Sequence, residues 1–247
     1  MKPYVTIVTV TMNDISGVMS TAESTRPLRS TNFFKQIIID SSDPESAEKL
    51  QERLKDEPNI DYIWQKPSGI SAAFNEGIRQ ADGEWLWFLN GRDEAHPDII
   101  PEHLCYLIQN STADLIIFRM EYMRSRKLFE KPQFWAMWPP MYNWIPHPAT
   151  LIRKKLFDEH GYYDETLSIA MDYEFWLRCL TRHTVIDTVS IPIALFDESG
   201  ISSLRPKQIY RENVKIIKKY LRTLVNLWLF MGFYPFRVLW EYMKKAR

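Results

Sequence analysis

The chain has 247 residues, enough to bury a large core in one catalytic domain without disulfides or metal ions. Its 31 basic and 31 acidic side chains cancel, which excludes a global field that draws the whole protein onto nucleic acid or a membrane. The two cysteines, Cys105 and Cys179, lie far apart and lack Cys-x-x-Cys spacing. They indicate neither a disulfide framework nor a zinc site, and we expect reduced thiols in a cytoplasmic protein.

Strands and helices alternate along the first 120 residues. We interpret the mildly apolar N-terminus as a first strand, because it is short and lacks the small-residue cleavage site of a signal peptide. Apolar β-branched runs predict strands at Tyr4–Val10, Gln36–Asp40, Ile60–Trp64, Glu84–Leu89 and Asp114–Met120. Helical spacing predicts helices at residues 45–56, at Ser71–Ala81 and around Ile100–Ile108, and the gap of about 25 residues after the first strand suits a crossover helix. The pattern predicts an α/β domain with a largely parallel sheet, whose ligands collect beyond the carboxyl ends of the strands.

The second half of the chain has a less regular pattern. Residues 121–150 are rich in Trp, Pro, Met and Arg and show no clear period, so we interpret them as a long loop over the site. After them we predict a helix from Arg153 that breaks at Gly161, a helix at Asp172–Arg182, strand material at Thr184–Phe196 interrupted by Pro192, and a last helix at residues 206–222. We therefore predict a catalytic domain in residues 1–205 and a helical extension in residues 206–247.

A short polar turn, Asp40-Ser41-Ser42-Asp43, directly follows the second predicted strand. A carboxylate at this place can accept hydrogen bonds from a nucleobase N–H or a ribose hydroxyl. The alternative is an ordinary turn that caps the helix beginning near Glu45, because Asp and Ser are favoured at such positions.

A second polar segment, Asn90-Gly91-Arg92-Asp93, follows the fourth predicted strand. Hard oxygen ligands at a strand end can hold Mg or Mn, and such an ion bridges substrate phosphates while needing few carboxylates from the protein. The alternative is a solvated polar turn.

A third segment places Asp172 at the start of a predicted helix, after the apolar lead Ile169-Ala170-Met171. The helix dipole and the free N–H groups keep such a carboxylate ionised, which suits a general base when other effects hold its pKa up. The alternative is a helix cap.

Together these segments resemble the inverting glycosyltransferases of family 2, which have the GT-A fold. Five blocks in register, between about residue 4 and residue 182, carry the resemblance: Val5–Asn13, Ile37–Asp43, Gly69–Gly77, Ala81–Asp93 and Gly161–Arg178. The residue patterns of the Gly69–Gly77 and Ala81–Asp93 blocks most resemble those of transferases that build bacterial exopolysaccharide, colanic-acid-like or lipopolysaccharide chains.

The resemblance implies a role for each site residue. Those expected on the donor side are Thr9, Asp40 and Ser42 at the nucleoside, Gly69 and Asn75 at the ribose and diphosphate, and Asn90 and Arg92. Asp93 would bind a divalent cation, Mn or Mg, and Asp172 would deprotonate the acceptor hydroxyl. His147 is a further candidate metal ligand or phosphate contact, with a structural role as the alternative.

The chain departs from the family pattern at three places. Asp93 is the single carboxylate of its motif, Met171 stands where an acid usually precedes the base, and Arg92 is either a phosphate contact or a solvated charge. The Gln-x-x-Arg-Trp motif of processive members is missing, which favours transfer of one sugar per acceptor. Four aromatic side chains either form a wall against an acceptor sugar or lipid, or pack the core under a loop: Trp135, Trp138, Tyr142 and Trp144.

The C-terminal tail, residues 221–243, is apolar and aromatic and ends in the basic cluster Lys244-Lys245-Ala246-Arg247. Asn226, Gly232, Pro235 and other breaks make it unsuited to span a bilayer, so we predict a peripheral helical hairpin on the inner face of the cell membrane. The alternative is an element for packing or dimerisation.

The resemblance therefore implies transfer of one sugar, with inversion, from a nucleotide-diphospho-sugar, by family habit a UDP-sugar. The acceptor would be a saccharide or a polyprenyl-diphosphate-linked saccharide in cell-surface polysaccharide synthesis, and no nucleic acid is expected as a partner. Two alternatives stay open. A sugar-phosphate nucleotidyltransferase would need a Gly-rich basic loop where Thr11-Met12-Asn13-Asp14 stands, and a degenerate transferase domain could act as a membrane-bound scaffold.

Overall fold

A computed structural model describes residues 4–129, 143–200 and 204–220 of the chain, and the structural statements below refer to these residues. The strands are β1 Val5–Thr11, β2 Phe34–Asp40, β3 Ile60–Trp64, β4 Trp85–Phe88, β5 Glu94–Ala95, β6 Leu115–Tyr122, β7 Thr150–Arg153 and β8 Ile186–Phe196. The helices are α1 Ile15–Arg29, α2 Pro44–Leu54, α3 Ile70–Gln80, α4 Pro101–Asn110, α5 Lys155–His160 and α6 Met171–Leu180, with a 3-10 turn at His147–Ala149 and a last helix, α7, at residues 206–220.

The first half of the chain forms a parallel sheet with the order β3-β2-β1-β4. The register aligns Thr11 with Asp40 and Asp40 with Trp64, so these strands end at the same edge. Local sequence sets where helix α2 begins: the Asp43 side chain accepts a hydrogen bond from the Ser46 N–H at 3.0 Å, and Pro44 occupies the first turn, where a missing N–H costs nothing.

The second half extends the sheet beyond β4 in the order β7-β6-β8-β5. Strand β7 is antiparallel to both β4 and β6, whereas β6 and β8 run parallel to each other. The predicted α/β class with a mostly parallel sheet is confirmed, and the sheet has eight strands among the described residues.

Two hydrophobic clusters cover the two faces of the sheet. One contains Val8 and Phe88 and packs against α3 and α6, and the other contains Ile7 and Trp87 and packs against α4. Neighbouring residues of β1 and β4 point to opposite faces of the sheet, and the residues on both faces are buried. This is expected for a parallel sheet between helices.

Several predictions of elements differ from the structure. Residues 121–150 are not one loop, because β6 continues to Tyr122 and β7 begins at Thr150. Strand β8 runs through Pro192 as one strand, but its pairing with β6 shifts register there, so the predicted interruption takes the form of a bulge opposite Arg119. The predicted tail, residues 221–247, lies outside the described residues, and no helix within the described ranges is long and apolar enough to span a bilayer.

Candidate active site

Asp40 ends β2 and is fully buried. Its Oδ1 accepts hydrogen bonds from the Ser42 N–H, at 2.8 Å, and from the Ser42 hydroxyl, while its Oδ2 accepts one from the Tyr62 hydroxyl at 2.8 Å. Burial and this contact with Asp40 raise the pKa of Tyr62 above its ordinary value, so Tyr62 stays a neutral donor. Asp40 and Ser42 are therefore held as one rigid, buried unit at the edge of the sheet, and their side chains do not lie open to a ligand, contrary to the direct nucleoside contacts predicted for them.

Asn13 and Trp64, for which the sequence predicted no role, also lie at this edge and bond to the Asp40–Asp43 turn. The Asn13 N–H donates to the Ser42 hydroxyl at 2.7 Å, and the Asn13 Oδ1 accepts from the Asp43 N–H at 3.0 Å, which joins the ends of β1 and β2. The Trp64 Nε1 donates to the Ser42 carbonyl at 3.0 Å, and the side chain is 49% exposed. A fixed and exposed indole at a strand end is a surface on which a planar ring can stack.

Thr9 and Asn75 do not lie open to a ligand, contrary to the roles that the sequence predicts for them. The Thr9 side chain is buried and accepts a hydrogen bond from Gln36 Nε2 at 2.9 Å. Asn75 is 2% exposed, and its amide bonds to the Tyr163 N–H, the Tyr163 carbonyl and Glu165 at 2.8–3.0 Å. Both side chains have used their polar groups inside the protein, and Asn75 instead fastens the segment that leads to Asp172.

Gly69 precedes α3 with a positive φ of 98°, a conformation that favours glycine. A side chain here would meet no atom within 4 Å, so the backbone angle and not crowding explains the glycine. Its predicted approach to the ribose and diphosphate stays a prediction.

Asp93 lies buried at the carboxyl end of the sheet. Its Oδ2 accepts hydrogen bonds from the Asn90 N–H and Nδ2 at 3.2 and 3.0 Å, and its Oδ1 accepts one from the Asp197 N–H at 3.0 Å. Burial raises the pKa of Asp93 to about 7, although these hydrogen bonds oppose the shift. Asp93 thus joins the β4–β5 connection to the end of β8 and titrates near neutral pH.

The predicted metal site does not fit the side chains that the structure describes. Both carboxylate oxygens of Asp93 face N–H donors, and within residues 4–129, 143–200 and 204–220 no group of three or more His, Cys, Asp or Glu side chains could hold an ion. Mg can be bound by one carboxylate together with substrate phosphates, so the divalent cation stays a prediction that concerns the donor complex.

His147 lies inside the core, not at the sheet edge where a metal ligand would be needed. It is buried, its Nε2 is 2.9 Å from the Tyr163 hydroxyl, and its ring stacks on Phe88 with centroids 4.9 Å apart. Burial lowers its pKa to about 3, so the ring is neutral. The structure therefore supports the structural alternative for His147.

Arg92 lies beside the Asp93 loop with a positive φ of 85°. Its Nε donates to Asp14 Oδ2 at 2.5 Å, its Nη1 lies 4.0 Å from Asp197, and the side chain is 53% exposed. Although burial opposes the change, the hydrogen bonds from Arg92 and the Gly17 N–H lower the pKa of Asp14. Arg92 is thus an exposed cation that is already paired, and its predicted contact with phosphate requires it to share or leave Asp14.

Asp172 is the second residue of α6 and is partly exposed. Its Oδ2 accepts a hydrogen bond from Asn143 Nδ2 at 2.7 Å, and its Oδ1 accepts one from the Tyr173 N–H at 2.7 Å. Burial raises the pKa of Asp172 to about 6 against the effect of these bonds, and the charge of Glu212 raises it further. A carboxylate with this pKa is ionised at neutral pH and can take up a proton.

The predicted aromatic wall is only partly described. Trp144 is 9% exposed and belongs to the core cluster, which supports core packing for this residue. Trp135, Trp138 and Tyr142 lie outside the described residues.

A cleft at the opposite edge of the sheet is lined by charged residues that include Glu84, Arg153 and Lys155. Arg153 pairs with Glu84, and Lys155 pairs with Asp114 at 2.6 Å. Because these charges neutralise each other, we assign no ligand to the cleft.

Sequence comparison identifies one family and a set of relatives. The profile of Glycosyl transferase family 2 matches residues 6–172. An uncharacterized glycosyltransferase of Mycobacterium tuberculosis is 29% identical over 211 residues, which cover 82% of this chain and 78% of that protein. The uncharacterized glycosyltransferase YwdF of Bacillus subtilis is 27% identical over 190 residues, which cover 73% and 69%.

Comparison with solved structures confirms the GT-A fold. Residues 1–349 of S. aureus TarS in complex with UDP superpose with a TM-score of 0.65 at 17% identity, covering 88% of this chain and 64% of that one. The complex with UDP-GlcNAc gives a TM-score of 0.63 at 18% identity, covering 80% and 58%. A further TarS structure is covered over 40% of its length, so the chain spans less than two thirds of these structures.

Proposed function

Because this chain belongs to Glycosyl transferase family 2, we propose that it transfers one sugar, with inversion, from a UDP-sugar to a hydroxyl group of a saccharide or of a lipid-linked saccharide. Glycosyl transfer itself follows from the family. The observation that carries the finer proposal is Asp172, a half-buried residue at the start of α6 that Asn143 and the Tyr173 N–H hold in place and whose pKa burial raises to about 6.

The nucleoside side of the site supports a nucleotide donor. Asp40, Ser42 and Trp64 are joined by hydrogen bonds at one sheet edge, and the exposed Trp64 indole offers a stacking surface next to buried polar groups. The choice of uridine rests on the neighbours, since S. aureus TarS was solved with UDP and with UDP-GlcNAc.

The proposed reaction is a single in-line displacement at the anomeric carbon. The acceptor oxygen forms the new bond on one face while the bond to the diphosphate oxygen breaks on the other, which inverts the configuration. The acceptor proton goes to a free lone pair of Asp172, whose carboxylate Asn143 and the Tyr173 N–H hold in place. We propose that Arg92 lies near the departing diphosphate, where its charge stabilises the leaving group.

We further propose that the protein works at a membrane surface. Helix α7 and its flank carry six exposed cations and one acid, Glu212; the cations are Arg205, Lys207, Arg211, Lys215, Lys218 and Lys219. Lys207, Arg211 and Lys218 follow helical spacing and form no ion pair with another described residue. This basic face, next to exposed Tyr210, suits anionic lipid headgroups, and the apolar tail follows directly in the chain.

A donor screen tests the proposed function. We expect a UDP-sugar to be consumed in preference to GDP- and dTDP-sugars, and NMR of the product of an α-linked donor to show a β-linkage. Equal use of the three nucleotides, or retained configuration, would contradict the proposal.

The Trp64→Ala variant tests the nucleoside site directly. We expect it to weaken UDP binding about tenfold, because stacking of a base on an aromatic ring contributes about 1–3 kcal/mol. Tyr106→Ala, which removes an even more exposed ring from α4, serves as the control and should bind UDP like the wild type. Unchanged UDP affinity in Trp64→Ala would remove this residue from the site.

A further inference from the structure

Glu212 of helix α7 bonds to the backbone that leads into α6. Its carboxylate accepts hydrogen bonds from three successive N–H groups, those of Ser168, Ile169 and Ala170, at 2.9–3.1 Å. These groups directly precede the helix whose second residue is Asp172. A single side chain from a distant part of the sequence thus satisfies the free donors ahead of the helix start.

A second set of contacts fastens α7 to the body of α6. The Glu174 side chain, 1% exposed, accepts hydrogen bonds from Lys219 at 2.8 Å and from the Tyr220 hydroxyl at 2.6 Å, and it also pairs with Arg178. Ile216 of α7 belongs to the same hydrophobic cluster as Tyr173. Helix α7 is therefore attached to α6 and to the residues ahead of it by polar contacts in its middle, at Glu212, and at its C-terminal end, with the apolar contact of Ile216 between them.

The charge of Glu212 also acts on Asp172. Met171 stands where the family resemblance leads us to expect an acid, and the carboxylate that bonds to the backbone directly ahead of this helix comes from α7. The groups that act on the Asp172 carboxyl among the described residues are Asn143, the Tyr173 N–H and Glu212, and the Tyr163 hydroxyl lies within the field of Asp172. Of these, Glu212 is the one with a negative charge.

We infer that Glu212 is a positioning residue for Asp172. Glu212 holds the backbone ahead of α6 and keeps a negative charge near the proposed base. Docking of α7 then sets both the place and the basicity of Asp172. Since α7 also carries the basic face, the same helix connects the proposed membrane surface to the site of proton transfer. The inference rests on the proposed role of Asp172, but its test does not need turnover.

The test compares the full-length wild type with Glu212→Gln and with Glu48→Gln, an exposed acid of α2 that serves as the charge-matched control. Gln keeps one acceptor oxygen, so we expect the variant to fold while losing the charge. In a carboxyl 13C NMR titration, with Asp172→Asn to assign the signal, we expect the pKa of Asp172 to fall by about half a unit in Glu212→Gln. We also expect amide hydrogen exchange at residues 168–170 to become about tenfold faster.

Unchanged titration of Asp172 together with unchanged exchange at residues 168–170 would overturn the inference. So would an equal response in Glu48→Gln, because it would show a general effect of net charge. Activity separates the two proposals: if Asp172→Asn turns over normally, the proposed base is wrong, whereas the NMR and exchange results still report on Glu212. When the base is confirmed, the acid limb of the kcat profile should shift to lower pH in Glu212→Gln alone.

Discussion

At the scale of single residues, burial separates the carboxylates of the site into different roles. Asp40 is buried and fully bonded to Ser42 and Tyr62, so it serves as a fixed acceptor. Asp93 is buried and titrates at about 7, whereas Asp172 is partly exposed and titrates at about 6. Their order along the chain was predictable, but these roles depend on neighbours that are distant in sequence, such as Asp197 and Asn143.

The raised pKa of Asp172 predicts how turnover depends on pH. A base acts in its ionised form, so kcat should rise through a pKa of about 6 and reach a plateau above it. The measurement is kcat at saturating donor and acceptor across this range. A profile that stays flat through this range, or that falls with rising pH, would conflict with Asp172 as the base.

The raised pKa of Asp93 predicts an opposite dependence for stability. The folded state binds the Asp93 proton more tightly than the unfolded state, so the contribution of this group is present at low pH and is lost as the pH rises through about 7. Relative to Asp93→Asn, the wild type should lose more than about 1 kcal/mol of unfolding free energy between about pH 4 and about pH 8. Urea denaturation of both proteins measures this difference, and parallel pH curves would refute it.

The same titration bears on the predicted cation. An ion at Asp93 would have to displace the Asn90 and Asp197 N–H donors and would need the ionised carboxylate, so stimulation of donor binding through Asp93 should strengthen as the pH rises through about 7. Donor binding measured with Mn and with EDTA at both ends of this range decides the point.

At the scale of elements, α3 fastens the segment that leads to Asp172, the proposed base, without touching that residue. Asn75 bonds to Tyr163 and Glu165, and the Ser71 hydroxyl donates to the Leu167 carbonyl at 2.6 Å. Both contacts fasten the segment that enters α6. A block that the family resemblance assigns to the donor thus supports the segment ahead of Asp172 in this structure.

Asn75→Ala should lower stability and not donor affinity. Removing the amide leaves the buried Tyr163 N–H and carbonyl without partners, which costs about 1–3 kcal/mol of unfolding free energy. Asn110→Ala, at an exposed position at the end of α4, is the control. If UDP affinity drops while the melting temperature is unchanged, Asn75 has the ligand role that the sequence predicts.

Most elements were predictable from sequence because their signals are local. The strands β1 to β4 follow apolar runs, and α2 follows the capping residue Asp43 and the apolar positions Ala47, Leu50 and Leu54. Strand β7 was missed because its four residues have no period of their own and are defined by pairing with β4 and β6. The role of Glu212 was missed for the same reason, since its partners lie more than 40 residues away.

At the scale of the whole molecule, the neutral total charge conceals a local concentration of cations. The net charge is zero, yet six of the 31 basic residues lie within residues 204–220. Long-range attraction to anionic lipid would therefore act on one helix, and this helix is fastened to α6 through Glu174 and Glu212.

Binding of the full chain to lipid vesicles tests whether this group of cations recognises anionic lipid. Replacement of Lys207, Arg211 and Lys218 by Gln should reduce binding to vesicles that contain phosphatidylglycerol about tenfold or more, because each cation near such a surface contributes about 1 kcal/mol. Replacement of Lys49 and Arg53 on α2 and of Lys55 directly after it by Gln removes the same charge elsewhere. Equal losses in both triple variants would show that net charge, and not this face, is recognised.

The most direct test of the central claim is turnover of Asp172→Asn, measured beside its UDP affinity and beside the exposed control Asp56→Asn. A base at Asp172 predicts that turnover falls about a thousandfold while UDP binds within about twofold of the wild type, because the proposed donor site lies on other elements. Asp56→Asn should behave like the wild type. Near-normal turnover in Asp172→Asn would contradict the claim.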